Sequence, residues 1–198
     1  MRSFIAVEDL KELYEKDFYL WVYENLKLLK EGKYDLVDWE NLLEEIEDMG
    51  IRHRDGLESY TAVILEHMYK LDYLRRYSKY DTDTGQGGRG WIKSILNASG
   101  KLNRIVQKNP SLLRQLEDIT NEAWKTTRGE IANFIKFLEI DGIIDSRTKR
   151  ELLRSIPEEL PYTVEEIAGR ITELTEDDNN AFAQYIRKYK EGQKPGKP

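Results

Sequence analysis

Apolar residues recur at helical spacing along almost the whole chain. From Val7 to Lys30 the set Leu10, Leu13, Tyr14, Phe18, Trp21, Leu28 and Leu29 predicts a first helix. Gly32 is placed to end it, because a left-handed cap favours glycine. Asp38 can cap the next helix through its carboxylate, with Glu40 in the positive first turn. The stripe of Trp39, Leu42, Ile46 and Met49 continues in phase through His53, Leu57, Tyr60, Ile64, Met68 and Leu71. A break at Gly50 would reset that phase. One long helix from Asp38 to Tyr73 is therefore expected, spanning ~50 Å, with a hinge at Gly50 as the second reading. Gly50 and Gly56 fall on or near the stripe, where a missing side chain lets another helix approach. Each costs ~1 kcal/mol of helix propensity relative to alanine.

Downstream, DTDTGQGGRG (Asp81 to Gly90) reads as a mobile loop. Trp91, Ile92, Ile95, Leu96, Leu102, Ile105 and Val106 describe a third helix. Asn109-Pro110 starts another, with Asn as N-cap, which runs past Gly129 to Ile140. Asp141-Gly142 makes a turn before a short helix from Arg147 to Arg154. Pro157 and Pro161 bracket an extended link, and Thr163 with Glu166 forms a capping box opening a helix through Leu174. An amphipathic segment from Ala181 to Tyr189 precedes KEGQKPGKP, a tail expected to be disordered. Neither β-alternation nor an internal repeat is visible. The pattern predicts an all-α protein, an irregular bundle of about six to seven helices with one long central helix. Residues 1–175 form the helical domain, and 176–198 a helical extension with a basic tail.

Composition narrows the chemistry. Of 198 residues 34% are charged and 39% hydrophobic, which suits a helical domain with salt-bridged outer faces. No run approaches the ~20 apolar residues that cross a bilayer, and MRSFIAVEDL has no apolar core of a secretory signal. The chain has no cysteine, which excludes disulfides, thiol catalysis and cysteine-ligated metal. These features point to a cytoplasmic protein. A net charge of −6 argues against nucleic acid as a partner.

Several quoted pieces occur together, in order, in one family. They are YEKDFYLW (Tyr14 to Trp21), DWENLLEEIEDMG (Asp38 to Gly50), His67 within LEHMYKL, RGWIKSI (Arg89 to Ile95), NPSLLRQL (Asn109 to Leu116) and PEELPYTVEEI (Pro157 to Ile167). Over about Leu10 to Ile167 the chain resembles the bacterial domain of unknown function 29 (DUF29) family. The resemblance implies a compact helical domain and carries no known activity.

Candidate chemistry centres on the acidic helix. Glu44 with Glu47, and Glu45 with Asp48, place carboxylates one turn apart, close enough to share Mg²⁺. This resembles half of the metal site of all-α nucleoside triphosphate pyrophosphohydrolases, but no Glu-x-x-Asp follows between Ile51 and Thr82. A solvated acidic face with no metal and no cofactor is favoured. His67 lies on the apolar stripe, and His53 lies ~21 Å away along the same helix, too far to bind one ion. Asp17 falls on the buried side of the first helix, and an Asp17–His67 hydrogen bond is a candidate buried polar pair.

GQGGRG lacks the Lys-Ser or Lys-Thr of a phosphate loop, so a connector is expected there, and Arg89 and Trp91 anchor the helix start. Arg75, Arg76 and Lys79 form one basic patch. Arg187, Lys188, Lys190, Lys194 and Lys197, with Tyr185 and Tyr189, form another that could touch nucleic acid or an acidic protein. Two functions follow. The favoured one is a non-enzymatic interaction module that self-associates or docks an unknown protein partner, resting on its aromatic-rich stripe and incomplete catalytic sets. The alternative is a Mg²⁺-dependent hydrolase of a phosphorylated small molecule using Glu44, Glu45, Glu47 or Asp48.

Overall fold

The computed structural model describes residues 7–78 and 88–190. Most of the expected loop, Lys79 and the tail with Lys194 and Lys197 lie outside the described residues. Eight α-helices and no strand occur among those described, so the all-α expectation holds, with slightly more helices than the pattern suggested. The chain divides into two compact units, Met1–Arg52 and His53–Pro198, a division absent from the sequence analysis.

The N-terminal unit holds α1 (Val7–Lys16), α2 (Phe18–Lys30), a 3₁₀ turn (Tyr34–Leu36) and the start of α3 (Trp39–Tyr69). The expected single helix over Val7–Lys30 is broken at Asp17. Its backbone leaves the helical region (φ −153°, ψ 82°) and its carboxylate accepts from Leu20 N at 3.0 Å. Aspartate competes for backbone donors inside a helix and gains by capping a new one. Gly32, at φ 70°, ends α2 as expected: Gly32 N donates to Leu29 O and Lys33 N to Leu28 O, at 3.2 and 2.9 Å. Leu10, Trp21, Leu28 and Val37 make the small core, with Tyr14 set edge-on to Trp21 at 4.9 Å.

The C-terminal unit holds the rest of α3, then α4 (Arg89–Lys108), α5 (Leu116–Ile140), α6 (Ser146–Ser155), α7 (Val164–Thr175) and α8 (Ala181–Tyr185). A 3₁₀ stretch (Pro110–Gln115) opens before α5, and Asn109 donates its amide back to Ile105 O at 3.0 Å, closing α4 where an N-cap was expected. The core gathers Leu57, Ile64, Leu65 and Met68 with Leu102, Trp124, Ile135 and Ile167 from the later helices. A Cβ added at Gly56 would sit 3.1 Å from Ile105 Cδ1, so α4 approaches α3 closely there. The Thr163–Glu166 capping box forms as expected and opens α7. In α8, Phe182 is wholly buried, and Ala181 N donates to Asn103 Oδ1 at 2.9 Å.

Helix α3 passes through Gly50 without a hinge and continues past Tyr69 as a π turn, Lys70–Leu74. Its expected burial is corrected. Leu57, Ile64 and Met68 are buried, but Trp39, Leu43, Ile46 and Met49 are 44–60% exposed, and His53 is exposed as well. Phase alone tells which residues share a stripe, and a stripe is buried only where an element covers it.

Candidate association surface

Helix α2 reads FYLWVYENLKLLK and is apolar almost all round. A helix of that kind is normally covered on every side. Here Trp21, Asn25 and Leu28 turn into the unit's core, while Phe18, Tyr19, Leu20, Val22, Tyr23 and Leu26 stay at least 41% exposed. Trp39, Leu43, Ile46, Met49 and Ile51 on α3, and Tyr34 before it, are also exposed. Among the described residues only Tyr73, Phe137 and Ile140 show comparable exposure in the larger unit. Such a concentration of exposed apolar side chains exceeds the scattered single ones usual on a protein surface.

A polar knot joins α2 to the head of α3. Trp21 Nε1 donates to Asp38 Oδ2 at 3.0 Å, and the Asn41 amide donates to the same oxygen at 2.7 Å. Asn25 accepts from Asp38 N at 3.0 Å and donates to Trp21 O at 3.0 Å. Asp38 stands at the head of α3 as expected, but its buried carboxylate holds side chains of its neighbours. Its Oδ1 has no partner among the described residues.

The acidic residues of α3 do not converge. Glu45 is half-buried, accepting from Tyr14 Oη at 2.9 Å and from Arg52 Nη2 at 3.1 Å. That hydrogen bond raises the Tyr14 pKa to about 12. Glu44, Glu47 and Asp48 are exposed. Among the described residues no three His, Asp or Glu side chains are arranged to hold a metal.

Asp17, expected on the buried side, is exposed and caps α2. In the C-terminal unit His67 is half-buried, its Nδ1 has no partner among the described residues, and burial lowers its pKa. One turn later Lys70 is buried, paired with Glu66 Oε1 and set 4.2 Å from the centre of the Phe134 ring. Trp91 meets Phe134 edge-on at 5.8 Å, which anchors the start of α4. Asp72 accepts from Tyr162 Oη at 3.0 Å and from Arg170 at 3.1 Å. Burial, with the Asp72 charge, pushes the Tyr162 hydroxyl well above its usual range.

A cleft of about 450 Å³ lies between α5 and the Glu158–Thr163 link. Glu117, Glu158 and Glu159 share it with Lys125 and Lys190. The expected basic patches are partly engaged. Arg187 donates to Asn179 Oδ1 at 2.6 Å, and Lys190 pairs with Glu165 at 3.1 Å. Tyr185, a candidate for stacking on bases, is instead buried and donates to Glu117 Oε2 at 2.6 Å.

The outer stripe of α2, Tyr19, Tyr23 and Leu26, is a functional candidate that one-sided periodicity does not reveal. Its signal was present in the run itself: a helix with apolar residues on both faces has a second surface to cover. Fold and surface together define an all-α protein with an exposed apolar face on its smaller unit. The chain belongs to the family described as Domain of unknown function DUF29, whose model matches residues 13–170. No curated protein and no solved structure matches it. No helix among the described residues is long and apolar enough to cross a membrane.

Proposed function

We propose that this protein is a non-enzymatic association module that works through the N-terminal unit. The supporting observation is the second apolar face of α2, together with exposed Leu43 and Ile46 on α3, left in water while Trp21 and Leu28 fill the core. Such faces gain by removal from water, roughly 25 cal/mol per Å² of apolar area. The carboxylates that would serve a hydrolase fan outward, and the most buried of them, Glu45, is engaged by Tyr14 and Arg52.

The test compares the wild-type chain with Leu43→Asp/Ile46→Asp by chemical cross-linking in the native host. Both positions are exposed, so the fold tolerates the charges. Loss of cross-linked species in the variant is expected. Identical cross-linking of both chains would refute the module. A rise in melting temperature with Mg²⁺ or Mn²⁺ that Glu44→Gln and Glu47→Gln abolish would favour the hydrolase instead.

A further inference from the structure

We propose that the partner of this face is a second copy of the same chain, with α2 of each copy packed on the first half of α3 of the other. The inference rests on the association reading and adds the occupant and the pairing.

Area is the first argument. The five exposed aromatics of the N-terminal unit alone leave on the order of 600 Å² in water, taking ~150–250 Å² for each when fully buried. The residues that would meet, Tyr19, Tyr23 and Leu26 on α2 with Trp39, Leu43 and Ile46 on α3, are 42–79% exposed and with their polar flanks approach the ~800 Å² that each partner of a standard interface contributes.

Matching stripes are the second. On α2, Tyr19, Tyr23, Leu26 and Lys30 follow i, i+4, i+7, i+11 spacing. On α3, Trp39, Leu43, Ile46 and Gly50 repeat the same spacing. Each stripe is ~16 Å long, so one covers the other. A glycine in mid-helix costs ~1 kcal/mol. Nothing lies within 4 Å of a Cβ built at Gly50, as at Gly129, so a helix of another copy can cross there without meeting this chain.

Charge is the third. Exposed Glu47 stands beside the α3 stripe, and the α2 stripe ends on exposed Lys30 beside Lys27. Packing α3 on α3 would oppose like charges, whereas α2 on α3 sets cations against anions. In a two-fold dimer that contact occurs twice, because such interfaces are isologous.

Sedimentation velocity of the full chain, with two charge-reversed variants, provides the test. The wild-type chain is expected to sediment as a dimer and Leu43→Asp/Ile46→Asp as a monomer of unchanged helicity. Lys30→Glu and Glu47→Lys each weaken the dimer several-fold. An equimolar mixture of those two restores it, since each reversed charge then meets its opposite on the other chain. Failure of the mixture to dimerise more tightly than either variant alone would overturn the α2-on-α3 pairing. Gly50→Ala weakens the dimer while raising helicity; an unchanged dimer would overturn the close crossing.

A wild-type monomer at all accessible concentrations overturns self-association, and iodination of Tyr19 and Tyr23 then separates the readings. Reactive rings leave the face open for a different protein. Protected rings remove the face altogether, and the association reading with it.

Discussion

The indole Nε1 of Trp21 donates to Asp38 Oδ2 over 3.0 Å, so a residue in the first turn of α2 holds the one that precedes α3. Trp21→Phe removes the donor and leaves a smaller aromatic ring in the core. Asp38 then holds only the Asn41 amide on that oxygen, while its other oxygen is already without a partner among the described residues. Under-satisfying a buried polar group costs about 1–3 kcal/mol. Urea unfolding followed by far-UV circular dichroism should show the loss, and an unchanged midpoint would refute the importance of the knot.

Gly129 lies inside α5 with open space where a Cβ would stand. Gly129→Ala should stabilise by ~1 kcal/mol, or about 2–4 °C in melting temperature for a chain of this size. Gly56→Ala should gain less, because its methyl would press on Ile105 Cδ1. Equal gains at the two sites would mean that Ile105 yields freely.

Burial is the main cause that holds His67 below its ordinary value of 6.5, and the Lys70 charge adds to it against the opposing charge of Glu66. The unfolded chain takes up this proton from about pH 6.5 downward, and the folded chain only at lower pH. The stability linked to His67 is thus complete above pH 6.5 and declines as the pH falls below it. Melting temperatures from pH 7 to 5 should fall less steeply in His67→Gln than in the wild-type chain. Parallel slopes would contradict the assignment.

At the alkaline end, the hydrogen bond to Glu45 raises the Tyr14 pKa to about 12. A raised tyrosine contributes stability below its unfolded value near 10, and that contribution is lost as the pH climbs towards 12. Absorbance titration at 295 nm (roughly the phenolate band) should lose one late-ionising tyrosine in Tyr14→Phe and in Glu45→Gln. A Glu45→Gln profile identical to wild type would show that Glu45 is not the cause.

Helix positions were readable because caps and breakers are local chemistry. Gly32, Asp141-Gly142 and the Thr163–Glu166 box all act where the sequence puts them. Asp17 was misread because its neighbours, Tyr14 and Trp21, keep helical phase across the break. Burial was readable only for the half of α3 that later helices cover. Trp39, Ile46 and Met49 belong to the same stripe as Leu57 and Ile64, yet only the second group meets α4 and α5 side chains in the core. The Trp21–Asp38–Asn25 knot was out of reach, since it joins residues 13 to 17 positions apart whose approach depends on the turn between them.

Phe182 reaches the interior from a short helix lying beyond residue 170, where the family match stops. Asn180 caps that helix through Ala183 N and also donates to Thr172, so the last turn of α7 and the start of α8 are stitched together. A chain trimmed at the family limit would cut α7 short and take buried Ile171, Phe182 and Tyr185 out of the core. The unit that folds is therefore longer than the segment by which the family is recognised.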